Sequence, residues 1–222
     1  MKKAAQEILK NKSQFAENDV KALLKIYNIP TTNFKLITKD EDLDNINLKF
    51  PVALKVCSPD ILHKTDVGGV VLNIQTIEEL QQHYTLFRKK FPTQPLLLDE
   101  MVQPGAEIII GLVQDPTFGL SLMCGIGGIF TELYKDVSFR VIPIDRYDAT
   151  QMIEELIGKQ LLEGFRHFTA TKEPLISLLL NVSKMGEDLM DVLDQMDLNP
   201  VFVYKNNTCV VDAKLILKKE ET

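Results

Sequence analysis

Short apolar runs alternate with amphipathic stretches along the whole 222-residue chain. Runs of that length suit strands, and apolar residues recurring every three or four positions suit helices. The alternation therefore predicts mixed α and β layers rather than a bundle or a sandwich. A helix is expected at Glu17 to Tyr27, where Val20, Leu23, Leu24 and Tyr27 share a face ahead of Pro30. Phe34 to Ile37 reads as extended, and a short acidic helix follows. Pro51 to Val56 reads as a buried strand with Gly69 to Gln75 as its neighbour. Thr76 and Glu79 form a capping-box pattern, and Ile77, Leu80, Tyr84 and Phe87 carry an amphipathic helix to about Lys90. Pro95 to Val102 is a buried strand running into a turn at Pro104-Gly105, which divides the chain into subdomains 1–100 and 101–222.

In the second part, Glu107 to Gln114 and Leu120 to Gly125 flank an Asp-Pro-Thr-Phe-Gly turn and should form an antiparallel hairpin. The glycine loop Gly125-Ile126-Gly127-Gly128 precedes a strand at Ser138 to Ile142. Helices are expected at Tyr147 to Leu156 and Leu175 to Leu193. The chain closes with a hairpin, Pro200 to Tyr204 and Cys209 to Ala213, turning at Asn206-Asn207.

With 25 basic against 31 acidic residues the formal charge is −6. Net acidity argues against nucleic acid or an anionic membrane as the main partner, since both reward clustered Lys and Arg. No apolar run approaches the ~20 residues of a membrane span, and no charged-then-apolar leader opens the sequence. The three cysteines, Cys57, Cys124 and Cys209, form no C-x-x-C pair, which fits a reducing, cytoplasmic setting without structural zinc.

Several residues could carry chemistry. Lys55 lies inside PVALKV. Either an anion such as a polyphosphate faces it, because an unpaired ammonium is costly to bury, or the strand is an edge and the lysine reaches solvent. The loop His63-Lys64-Thr65-Asp66-Val67-Gly68-Gly69 sets an imidazole, an ammonium, a hydroxyl and a carboxylate against a double glycine. Glycine amides can approach an anion and histidine can accept a phosphoryl group, although a plain polar turn has the same composition. His83 and His167 read as structural. The Gly125–Gly128 loop follows a strand as a phosphate cradle would, but lacks the G-K-[ST] of a P-loop. Glu132, Asp136 and Arg140 recur at spacings of four, and either bind phosphate and metal or pair on a solvated face. Asp197-Leu198-Asn199-Pro200 leads into the last hairpin, whose pairing can bring Asn199 to Asp212. A carboxylate and an amide oxygen form the incomplete hard shell that Mg²⁺ accepts, while an Asx turn is the plainer alternative.

The order of these features, with the long stretches PVALKVCSPDILHKTDVGGV, GLVQDPTFGLSLMCGIGGIFTELYKDVSFRVIP and MDLNPVFV followed by VVDA, resembles the ATP-grasp fold. It is most similar to the nucleotide-binding β subunit of ADP-forming acetyl-CoA (acyl-CoA) synthetases, over essentially the whole chain. The resemblance implies an α+β architecture with two α/β subdomains clasping a nucleotide. By that likeness Lys55 is the phosphate lysine, and Glu100, Met101 and Val102 form the hinge that reads adenine and ribose. Glu107 is a further nucleotide or catalytic contact, and Gly127, Gly128 and Arg140 join the nucleotide site or the partner interface. Asn199 and Asp212 match the Mg²⁺ ligands, with Asp197 beside them where many ATP-grasp enzymes carry the longer Glu.

Such synthetases interconvert acyl-CoA, ADP and phosphate with acid, ATP and CoA through a phosphohistidine held mainly on a CoA-binding α subunit. That partner and a heterotetramer of two of each subunit are thus implied. His63 resembles a mobile histidine segment and would be a second phosphoryl carrier. The competing readings are a stand-alone ATP-grasp carboxylate ligase and a non-catalytic nucleotide-sensing subunit.

Overall fold

The computed structural model describes every residue except 11, 13, 62, 129–134, 165–168 and 219–222. Glu132 and His167 therefore lie outside the described residues. The chain forms two compact units, one of Phe15–Asn18 with Thr32–Gln103, the other of Met1–Gln14, Asp19–Thr31 and Pro104–Thr222. The partition read from sequence, 1–100 and 101–222, differs in its first thirty or so residues, most of which cluster with the C-terminal part.

In the smaller unit, β1 (Phe34–Ile37), β2 (Val52–Val56), β3 (Val70–Ile74) and β4 (Leu96–Glu100) make a four-stranded sheet ordered β1-β4-β2-β3, with every neighbour antiparallel. Asp40–Leu43 is a 3₁₀ turn. One face of the sheet packs on the helix Ile77–Lys90 through Leu80, Tyr84 and Phe87, against Val52, Leu54, Val56, Leu96 and Leu98. Each such buried side chain contributes about 1.5–3 kcal/mol. The helix starts where its sequence said it would, but its cap is shared. Glu79 N–H donates to Thr76 Oγ1 at 3.3 Å, while the Glu79 carboxylate accepts from Gln75 N–H at 2.7 Å. Arg88, Lys89 and Lys90 lie at the negative pole of the helix.

The larger unit opens with α1 (Lys3–Leu9). It also takes most of α2 (Glu17–Ile26), so we number the sheet-packing helix above α3. Its sheet joins β5 (Ala106–Asp115), β6 (Gly119–Ile126), β7 (Val137–Val141), β8 (Leu193–Val203), β9 (Thr208–Val210) and β10 (Ala213–Leu217). The order is β10-β8-β5-β6-β7, with β9 also on β8, and every pairing is antiparallel. Helices α4 (Arg146–Glu155) and α5 (Lys172–Leu189) belong to this unit. Ile108, Ile110 and Leu112 of β5, Leu122 and Cys124 of β6 and Leu198 of β8 are fully buried on the apolar face of the sheet.

Three expectations change. Helix α5 ends at Leu189 and β8 begins at Leu193, because Leu193, which continued the helical spacing, is buried in the sheet instead. Asp197 and Asn199 are therefore inside a strand and not in a lead-in turn. The strand β10 and the helix α1 were not foreseen: α1 buries only Ala5, so it carries no apolar stripe to read.

Candidate functional site

In the smaller unit, β2 lies between β4 and β3, so Lys55 is on an interior strand and its edge-strand reading is overturned. Lys55 is 5% exposed. Its ammonium donates to Glu17 Oε1 and to Asp99 Oδ2, both at 2.8 Å. The register explains the second contact: Asp99 stands opposite Ala53, two residues from Lys55, and such diagonal neighbours share a face. Thr32 Oγ1 donates to Asp99 Oδ1 at 2.5 Å, and Lys64 Nζ is ion-paired with Glu17 Oε2. Two ammoniums and two carboxylates are thus buried together, each charge facing an opposite one, as the cost of desolvation demands. The anions expected around Lys55 are the protein's own.

Sequence reasoning did not single out Glu17, Lys64 or Asp99 as members of this cluster. One signal was available: Asp99 interrupts the apolar run LLLDE, and a carboxylate buried in a strand requires a cation on the same face.

His63 is exposed, while the next residue, Lys64, is buried. The double glycine closes the loop on itself. Gly69 N–H donates to the Lys64 carbonyl at 2.7 Å and Gly68 N–H to the Thr65 carbonyl at 2.9 Å. A Cβ on Gly69 would meet Val56 Cγ1 at 2.5 Å, so the close approach of two backbone segments requires glycine there. These amides are spent on the loop and do not face an anion. At the end of β4, the Glu100 carboxylate accepts from Lys49 N–H at 2.7 Å and from Asn33 Nδ2 at 2.9 Å. Met101 N–H donates to the Pro51 carbonyl at 3.0 Å, and Val102 is half-buried beside it.

In the larger unit, Glu107 and the glycine loop come together. Gly127 N–H donates to the Glu107 carbonyl at 2.7 Å and Gly128 N–H to Glu107 Oε1 at 3.1 Å. A Cβ on Gly127 would approach Glu107 Cγ to 2.6 Å. Glu107 and Gly111 alternate onto the same face of β5, opposite to the buried Ile108 and Ile110. Asp197 pairs with Gly111 on one side and Lys214 on the other, which puts it on that face too. Burial raises the Asp197 carboxyl above its ordinary range, Lys214 opposes the rise and Asp212 adds to it. Asn199 N–H donates to the Asp212 carbonyl at 3.1 Å, so the cross-strand approach of these two residues is present.

Arg140 is not brought to these groups. It stands opposite Leu122, on the face that bears the buried core, and its guanidinium takes both oxygens of Glu155, at 2.5 and 3.0 Å. Asp136 receives Ile157 N–H and Gly158 N–H, both at 2.8 Å, and so caps a 3₁₀ turn at Ile157–Leu162. Of the spacing-of-four trio, these two have structural partners. His83 lies on α3.

A bound Mg²⁺ would find the Asp212 carboxylate and the Asn199 amide oxygen, both hard donors, on adjacent backbone segments. Among the described residues no group of three or more His, Cys, Asp or Glu forms a closed cage. The three cysteines are buried and form no disulfide, and burial first, then Asp136, pushes the Cys124 thiol up to about 12. Among the described residues no helix is long and apolar enough to cross a membrane.

The family model described as an ATP-grasp domain matches residues 6–217. The chain is 42% identical, over 97% of its own length and 97% of the other, to the acetate–CoA ligase [ADP-forming] II subunit beta of Pyrococcus furiosus. It is 35% identical to an acetate–CoA ligase [ADP-forming] II of Archaeoglobus fulgidus, covering 90% of this chain and 30% of that longer one. Among solved structures it superposes with TM-score 0.83 and 37% identity on a chain of acetyl-coenzyme A synthetase 1 from Ca. Korarchaeum cryptofilum. That structure was determined with coenzyme A and Mg-AMPPCP, its phosphohistidine segment pointing towards the nucleotide binding site; the match covers 96% of this chain and 100% of the other.

Proposed function

The chain belongs to the ATP-grasp domain family, and from that premise we propose that it is the nucleotide-binding subunit of an ADP-forming acyl-CoA synthetase. The observation that carries this is the whole-length likeness to a ligase β subunit, which covers both compact units. It does not favour a stand-alone ligase or a nucleotide sensor. The two units correspond, in this reading, to the two ATP-grasp subdomains. The reaction is acyl-CoA, ADP and phosphate giving acid, ATP and CoA. The part carried here is phosphoryl transfer: the N–P bond of a phosphohistidine breaks as a β-phosphate oxygen of ADP forms the new O–P bond.

Such transfer is mostly placement and charge neutralisation. Lys55 offers an ammonium whose position the Glu17 and Asp99 carboxylates fix. Glu100, Met101 and Val102 lie at the end of the strand that would read the nucleoside. Glu107, held by Gly127 and Gly128, presents a carboxylate on the same face as Asp197. Asn199 and Asp212 would hold Mg²⁺, which supplies charge neutralisation at the phosphates when bound. Arg140 is left out of the site on its geometry. His63, exposed on a closed loop, is the proposed second phosphoryl carrier. A CoA-binding α subunit supplies the acyl chemistry, and the longer Archaeoglobus relative supports this, since the present chain spans only 30% of it. We assign the assembly as two copies of each subunit, to be read from the mass of the purified complex.

The test is the melting temperature of the full chain with and without MgADP. Saturation at 100 times Kd stabilises by ~2.7 kcal/mol, a shift of a few degrees. Asp212→Ala should abolish the shift, and should lower coupled turnover by about a hundredfold while melting within about 2 °C of the parent. Absence of a shift with ADP and with GDP, the CoA-binding partner being present, would sink the assignment.

A further inference from the structure

We infer that Lys64 is a positioning residue for His63, acting through a carboxylate, Glu17, that it shares with Lys55. This rests on the reading of His63 as a phosphoryl carrier. Lys64 is the next residue to an exposed imidazole and is itself buried, 9% exposed. Its ammonium is paired with Glu17 Oε2, and its carbonyl accepts Gly69 N–H at 2.7 Å. The Gly69 carbonyl in turn accepts Val56 N–H at 2.8 Å, at the end of β2. Residue 64 is thus fixed by side chain and by backbone, and the ring of His63 projects from its immediate neighbour.

The consequence is a limit on reach. A buried ammonium does not leave its carboxylate without a new partner, so Lys64 holds the base of the arc through which His63 turns. With Lys64 in place the ring moves on its own side chain; with Lys64 released the backbone of residues 63–69 can move with it. An N–P bond must arrive in line with an acceptor oxygen, and a carrier whose base wanders spends most of its time out of that geometry.

Glu17 also links the tether to the rest of the cluster: its other oxygen holds Lys55 at 2.8 Å.

The experiment compares the full chain with Lys64→Gln, Lys64→Arg and Glu17→Gln by amide hydrogen exchange, then by turnover with a CoA-binding partner. Lys64→Gln leaves Glu17 with Lys55 and so should fold. Glu17→Gln removes the same tether from its other end. Both should speed exchange at residues 65–69 by about tenfold beyond any change at the β4 amides. In turnover, kcat should fall by about tenfold in Lys64→Gln while KM for ADP stays within about twofold, and Lys64→Arg should restore kcat to within about threefold. Unchanged exchange in both tether variants overturns the proposal. So does faster exchange with unaltered kcat, which would leave His63 as a carrier that needs no tether. Full turnover in His63→Ala overturns the carrier reading itself, and the positioning role with it.

Discussion

The two sheets use the same residue types under opposite electrical conditions. In the smaller unit Lys55, Lys64, Glu17 and Asp99 are buried, and each is matched by an opposite charge. In the larger unit Glu107, Asp197 and Asp212 are only partly buried and Asn199 is exposed, with Asp212 close enough to raise the Asp197 carboxyl and Lys214 the cross-strand cation beside Asp197. The first cluster is complete within the protein. The second keeps hard oxygen atoms at a surface where ions can reach them. Burial is what separates the two: a desolvated charge must be neutralised by the fold, whereas a half-exposed one can wait for a ligand.

The sharpest way to break this contrast is Lys55→Met. It removes the cation between two buried carboxylates, so it should cost about 3–5 kcal/mol and lower the melting temperature by roughly 10 °C, in addition to abolishing phosphoryl transfer. A parental melting curve would show that the cluster is not a structural necessity.

Gly127→Ala comes next. The new methyl would sit 2.6 Å from Glu107 Cγ, and relieving that contact should cost about 1–3 kcal/mol. Activity should fall with the displacement of Glu107, and wild-type kinetics would detach Glu107 from the chemistry.

A smaller effect is expected at Asp197, whose folded carboxyl binds its proton more tightly than the ordinary value of 3.8 implies. The folded state then holds more protons than the unfolded one, so Asp197 lowers stability as pH rises from about 3.8 through its raised folded value. Asp197→Asn should remove that slope and raise the melting temperature at pH 7 by about 1–3 °C. A steeper slope in the variant would reverse the sign assigned here.

Arg140→Gln should change least. It loses an exposed pair with Glu155, worth roughly 0–1 kcal/mol, and leaves MgADP affinity within about twofold. A large loss of affinity would return Arg140 to the nucleotide site.

Much of this was legible beforehand. Strands β1 to β7, helix α3 from its Thr76 cap, and the approach of Asn199 to Asp212 follow from local pattern and turn chemistry, which depend on neighbours in sequence. The family followed from long motifs in a fixed order. What local pattern does not contain is the partner of a side chain across the sheet. Lys55 in PVALKV carries no mark of whether its strand is interior, nor that Glu17, thirty-eight positions earlier, and Asp99, forty-four later, meet it. Arg140 likewise reads either as a phosphate ligand or as half of a surface pair until the register with Leu122 and the contact with Glu155 favour the pair.

The sequence by itself thus determined most of the elements and the family, because periodicity and motif order are one-dimensional properties of the chain. Only the tertiary structure decided which charges are already neutralised and which are left for a ligand. That outcome depends on how far each group is removed from water, and desolvation is a property of the packed molecule.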